Sequence, residues 1–162
     1  MTDPAQDNPG VIVFPPVILL ATLAAGIILD HFLPLNLLAR MPWVPRLVAG
    51  AILFVLGASA PIMVRRVFVS AGTNIRPDMP TTALVTSGLF AHARNPVYVG
   101  GAIALVGVAL MLDSDWTAVL LVPALLLLHY GVVLREEHYL ERKFGATYLA
   151  YKAEVPRYGW KF

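Results

Sequence analysis

From residue 15 onward the apolar residues come in long, nearly unbroken runs rather than alternating with polar ones, and polar residues gather between the runs. Four runs are long and apolar enough to cross a bilayer as helices: roughly Pro15 to Leu33, Val44 to Val64, Pro96 to Leu112 and Trp116 to Leu134. The pattern predicts an all-α fold, a polytopic membrane helix bundle of about four transmembrane helices with a cytosolic C-terminal helical segment, 135–162. The third run is short. At 1.5 Å per residue it covers about 25 Å against a hydrocarbon core of about 30 Å, so its polar entry residues should sit at or just inside the interface. Pro61 and Pro123 fall inside spans two and four and mark points where those helices can kink. Ala21 with Ala25, and Gly100 with Ala104, stand four apart and would let helices approach closely. Residues 1–14 carry no basic residue and lack the charged start of a cleavable signal, so they read as a polar tail before a single domain, 15–162.

Composition supports the membrane assignment and removes several chemistries. With 58% hydrophobic and 14% charged residues, the chain takes the lipid bilayer as its partner. There is no cysteine, which excludes a disulfide framework, a thiolate metal site and a thiol nucleophile. The isoelectric point near 9.1 does not signal nucleic-acid binding, because the basic residues are spread along the margins of the apolar runs. Nothing in the composition fixes an oligomeric state.

The same basic residues predict orientation. The second link carries Arg65, Arg66, Arg76 and Arg94, and the tail carries Arg135, Arg142, Lys143, Lys152, Arg157 and Lys161. The first link has only Arg40 and Arg46, and the third, "DSD", has none. Basic residues are retained on the cytoplasmic side, so both termini and the second link are expected there, in a cell inner membrane.

Two polar stretches stand out on that side. "HARNPVYVGG", His92 to Gly101, sets histidine, arginine and asparagine directly against the start of span three. "HYGVVLREEHYLERKFGATYLAYKAEVPRYGW" carries span four onward as an apparently unbroken helix. Singly, each residue has an ordinary membrane role: Arg94 snorkelling to phosphates, Asn95-Pro96 starting a helix, Tyr98 anchoring at the interface. His129 lies within the span, where an imidazole is either hydrogen-bonded to a neighbouring helix or part of a site. On a continuous helix His129 aligns with Glu136, seven residues on, whereas Glu136 and Glu137 lie about 100° apart, so at most one should point squarely into a shared pocket. Beyond Gly145, a helix cap, Tyr148, Tyr151 and Val155 continue the apolar stripe of Leu140 and Phe144, either as a packed face or as a lid.

Together the two clusters offer what a polar ligand with several charged groups needs. Arg94 or Arg157 could clamp a carboxylate, Glu136 or Glu137 could accept from ribose hydroxyls, and an aromatic face could sit against an adenine or a sulfonium. Familiar motifs are missing: there is no Walker lysine loop, GxSxG or HExxH, and the glycines of "VGGAIALVG" belong to a spanning helix rather than a dinucleotide-binding turn.

At these residues the chain resembles the isoprenylcysteine carboxyl methyltransferase and phospholipid methyltransferase superfamily of integral membrane enzymes. The resemblance rests on Arg94, Asn95, Pro96, Tyr98 and Gly100, on the lead-in "TSGLFAHA", and on Glu136, Glu137, Leu140, Phe144, Gly145, Tyr148 and Tyr151. It covers about Thr86 to Arg157. It implies S-adenosyl-L-methionine as methyl donor and no metal, with the donor held at the cytoplasmic ends of the last two spans under the C-terminal segment. Carried over, Arg94, Asn95, Pro96 and Tyr98 wall the cofactor site with His92 close by, and Glu136 or Glu137 binds the donor. Arg135 would lie nearest the transferred methyl, although in relatives that arginine often stands one residue further from the glutamate pair.

The acceptor implied is small or lipid-like and lipophilic: an isoprenylcysteine-type carboxylate, a phospholipid amine or a hydrophobic thiol. An amine would have to lose a proton, which His129 or a glutamate could take. Two other functions fit the sequence less fully. A relative of the membrane sterol-type reductases would use NADPH. A non-enzymatic four-helix module serving a partner protein would set both polar clusters against protein or lipid and leave no enclosed pocket.

Overall fold

A computed structural model describes residues 8–73 and 81–159, and among them every regular element is helical. Arg76 and Lys161, both part of the charge count, lie outside the described residues, as do 1–7 of the N-terminal segment.

Local sequence explains where the helices start. The first, α1 (Pro15–Phe32), opens on two prolines, whose fixed φ suits a first turn that lacks N–H partners anyway. The next, α2 (Trp43–Ser70), follows Pro42 and continues through Pro61. It also runs past the expected end at Val64, because a helix need not stop at the membrane edge; Arg65 and Arg66 are exposed on its continuation. Helix α3 (Pro96–Leu112) starts on Asn95-Pro96 and ends at Asp113, whose φ of 59° turns the chain. In α4 (Asp115–Leu128), the Ser114 hydroxyl caps the start by accepting from the Thr117 N–H at 3.2 Å. A wide π-turn, His129–Val133, leads into α5 (Leu134–Phe144), and Gly145 at φ 51° separates α5 from α6 (Ala146–Glu154).

Three of these helical stretches, α1, α2 and the continuous run Asp115–Phe144, are long and apolar enough to cross a membrane, and α3 is a shorter apolar helix. The protein is thus an integral membrane helix bundle. Large apolar residues such as Leu20 and Ile28 on α1, and Val55 and Ile62 on α2, are exposed on its outer surface, as lipid contact requires.

Small residues set the helix contacts. A Cβ placed on Gly57 of α2 would lie 2.4 Å from the Gly100 carbonyl and the Ala104 nitrogen of α3, so only glycine permits that approach. The expected pair Gly100 and Ala104 therefore lies at a helix contact. The pair Ala21 and Ala25 does not: both are exposed, and Thr22 and Gly26, one position further, are buried instead. Gly26 backs directly onto Thr117 of α4.

The end of the bundle that carries Asp30 and Asp113–Asp115 is tied together by polar contacts. Asp30 accepts from the Ser114 hydroxyl and from the Trp116 N–H at 3.1 Å. Asp115 accepts from the N–H groups of Leu37 and Leu38 at 2.8 and 2.9 Å, and Arg46 pairs with Asp113. At the opposite end, the starts of α1 and α3 meet the ends of α2 and α4, and there a cavity opens.

Candidate functional site

The cavity holds about 310 Å³, within the usual range for small-molecule sites. One part of its wall is apolar, from Phe14, Pro15 and Pro16 at the start of α1, Val64 and Phe68 on α2, and Phe90. The polar part comes from the two stretches singled out in the sequence: Arg94, Asn95, Pro96 and Tyr98 at the start of α3, and Glu136, Glu137 and Tyr148 from α5 and α6.

Backbone pairing brings these stretches together. The Arg94 N–H donates to the Pro156 carbonyl at 2.9 Å, and the Asn95 N–H donates to the Arg157 carbonyl at 3.1 Å. The Asn95 side chain adds a longer contact to the same Arg157 carbonyl, 3.4 Å. The chain after α6 is therefore stitched to the entry of α3, which fixes both arginines beside α5.

Glu137 is the joint. Its carboxylate pairs with Arg94 at 3.0 Å and accepts two bonds from Arg157, at 2.7 and 2.9 Å, in a fork-on-fork arrangement. Side-chain exposure is 6% for Glu137 and 8% for Arg94. The hydrogen bond to Glu137 raises the Arg157 pKa above its ordinary value. Tyr148, fully buried, lies 3.5 Å from the Arg94 guanidinium, and burial together with the Glu137 charge pushes its hydroxyl up to about 12. The Arg94 Nε, also buried, has no hydrogen-bond partner among the described residues. An unmet charged donor in such a place costs on the order of 1–3 kcal/mol or more.

Glu136 has a different role. It accepts from the Tyr98 hydroxyl at 2.7 Å, tying α5 to the first turn of α3. The sequence argument allowed at most one of the two glutamates to point into a shared pocket, yet both border this one. The cavity wraps around α5, so side chains 100° apart meet different parts of it: Glu136 faces α3, and Glu137 faces Arg94 and the C-terminal segment. The expected unbroken helix is corrected too. The π-turn, in which the Leu134 N–H bonds back to the His129 carbonyl, offsets the helical frame, so His129 does not share the Glu136 position.

Four of the named residues do not border the cavity: His92, His129, Arg135 and Arg157. His129 bonds through Nδ1 to the Tyr158 hydroxyl at 2.7 Å. Arg135 is exposed, on the opposite side of α5 from Glu137, and donates to the Gly10 carbonyl at 3.1 Å. His92 is exposed, 3.4 Å from the Gly88 carbonyl. Arg157 reaches the site through Glu137.

Sequence reasoning missed several wall residues. Tyr151 donates to the Phe90 carbonyl at 2.7 Å, and the Tyr139 hydroxyl accepts from the Thr81 N–H at 3.1 Å; both hold the loop between α2 and α3 against α5 and α6. Tyr151 was legible in the apolar stripe, but its partner, a loop carbonyl, leaves no sequence signal. Pro9 and Phe14, in the segment read as a tail, also border the cavity. Among the described residues no cluster of His, Cys, Asp and Glu could hold a metal ion.

In comparison with known proteins, a model of the phospholipid methyltransferase family matches residues 45–147, which takes in Arg94 to Tyr98 and Glu136 with Glu137 and stops before Tyr148, Tyr151 and Arg157. A 64-residue stretch is 36% identical to the nickel-cobalt-cadmium resistance protein NccN of Alcaligenes xylosoxydans xylosoxydans, covering 40% of this chain and 30% of that protein. No solved structure matches the chain.

Proposed function

The chain belongs to the phospholipid methyltransferase family, and we propose that it is an integral membrane methyltransferase whose methyl donor is S-adenosyl-L-methionine and whose acceptor is a lipophilic molecule dissolved in the bilayer. The observation that carries this reading is the single cavity joining the two polar clusters, charged on one side and apolar on the other. The donor is polar and carries a carboxylate, an ammonium and a sulfonium. Arg94, on the cavity wall, suits the carboxylate, and the Glu136 and Glu137 carboxylates suit the positive groups or the ribose hydroxyls. When bound, the donor supplies an electrophilic methyl group.

What the chain contributes is position and a dry environment. The Arg94–Glu137–Arg157 cluster is locked by hydrogen bonds on several sides, so its charges need little rearrangement when a ligand arrives. Tyr148 and Tyr151 close the C-terminal side against water. Phe14, Val64 and Phe68 offer apolar surface to an acceptor arriving from lipid. A carboxylate or thiolate acceptor needs no base for an in-line displacement; for an amine, the proton would go to Glu136, a wall carboxylate held by Tyr98 and not by an arginine.

The charge count supports placing this end of the bundle on the cytoplasmic face of the inner membrane, where a water-soluble donor would enter. A non-enzymatic module would leave no enclosed pocket and put Glu136 and Glu137 in bulk water, so the cavity and the burial of Glu137 support the enzyme reading. Purified protein given methyl-labelled donor with phosphatidylethanolamine, an isoprenylcysteine analogue or a long-chain thiol should label at least one lipid. Labelling of none, with thermal stabilisation by NADPH instead, would overturn the proposal.

A further inference from the structure

The segment before α1 behaves as part of the site. Val11 and Val13 pack inward against the buried cluster of Ile18, Ala124, Leu128 and Val132, while Ile12 and Phe14 are exposed. Pro9 and Phe14 border the cavity at the two ends of this segment. It is held across the bundle by two hydrogen bonds. The Ile12 N–H donates to the Gly131 carbonyl at 3.2 Å, and Arg135 donates to the Gly10 carbonyl at 3.1 Å. Both partners sit in or just after the π-turn, where the widened turn interrupts the regular helical ladder.

The wall this segment makes is apolar, whereas the charged wall groups suited to the donor, Arg94, Glu136 and Glu137, come from the entry of α3 and from α5. Phe14, about half exposed, stands between the cavity and the lipid-facing surface. Resting on the methyltransferase reading above, we propose that Arg135 is a positioning residue: it straps residues 9–14 across the cavity, and through that strap it governs how tightly the lipophilic acceptor is held, not the donor. Arg135 touches neither cavity nor ligand in this role. Its guanidinium holds a backbone carbonyl, and the strap it fixes supplies the apolar contact.

The chain has no cysteine, so Ile12→Cys can carry a single nitroxide at an exposed position while keeping the backbone N–H that meets Gly131. The spectrum is expected to be restricted in the otherwise unchanged protein, mobile with Arg135→Ala, and restricted again with Arg135→Lys, whose ammonium can still reach a carbonyl. Without the nitroxide, Arg135→Ala should leave the dissociation constant of labelled S-adenosyl-L-methionine within about twofold. It should raise KM for dioleoyl phosphatidylethanolamine about tenfold, as loss of one charge-assisted contact would. Phe14→Ala should raise the same KM while leaving the spectrum restricted. An equally restricted spectrum in Arg135→Ala would overturn the strap. A fall in donor affinity with acceptor KM unchanged would overturn its assignment to the acceptor. If the unaltered protein binds no donor, the methyltransferase reading fails, and the spectra still decide whether Arg135 holds the segment.

Discussion

Arg94 and Glu137 form a 3.0 Å ion pair between the entry of α3 and the first turns of α5, with both side chains less than a tenth exposed. Burying two charges is costly, and the pair is tenable because Arg157 donates twice more to the same carboxylate. This contact turns two clusters, distant in sequence, into one site.

Breaking it from the acidic side should therefore be costly. Glu137→Gln leaves two guanidiniums facing a neutral amide, and stability is expected to fall by about 3 kcal/mol. The thermal midpoint in a fixed detergent checks this. Replacing both partners, Arg94→Met with Glu137→Leu, should recover part of the stability while donor binding stays lost. An additive loss in the double variant would show that the two side chains do not act together.

Tyr98→Phe removes the hydrogen bond to Glu136 and leaves a carboxylate at the cavity wall without that donor. The expected cost is about 1–3 kcal/mol, seen as a fall in turnover or ligand affinity of roughly 5- to 150-fold. Comparing kcat with KM separates a loosened site from a mispositioned one. Unchanged kinetics would mean that the Tyr98–Glu136 link is not used.

At Gly57 even a methyl group meets backbone atoms of α3, which cannot move aside as a side-chain tip can. Gly57→Val should abolish folded, monodisperse protein in detergent. Ala21→Leu, on an exposed face of α1, should leave it intact.

Much of this arrangement was legible in the sequence because the governing physics is local. Continuous apolar runs fix where spans lie, Asn95-Pro96 and Pro15-Pro16 fix where helices start, and Gly145 marks the break between α5 and α6. The two polar clusters were also visible, because arginine and glutamate against apolar runs demand partners. What could not be read was set by contacts between distant segments. The π-turn at His129–Val133 contains Gly131 but no proline, and a lone glycine inside an apolar run does not by itself announce a π-turn, which shifts the frame on which the alignment of His129 with Glu136 depended. Choosing Thr22 and Gly26 over Ala21 and Ala25 required knowing where Thr117 lies. The role of residues 9–14 depended on the Gly131 carbonyl and the Arg135 guanidinium, neither of which a sequence pattern displays.

Orientation has its own test, made simple by the lack of native cysteine. Asn36→Cys and Arg142→Cys sit at exposed positions at opposite ends of the bundle. A membrane-impermeant maleimide should label Asn36→Cys from outside the inner membrane and reach Arg142→Cys only after the membrane is opened. The reverse pattern would place the cavity on the wrong side for a cytosolic donor.

The most direct test of the shared cavity is equilibrium binding of labelled S-adenosyl-L-methionine to the purified protein, beside Arg94→Ala and Glu137→Ala. Saturable binding that weakens by about 10- to 100-fold in each variant, as loss of a charged contact predicts, is the expected result. No saturable binding to the unaltered protein, or equal affinity in all three, would contradict the account.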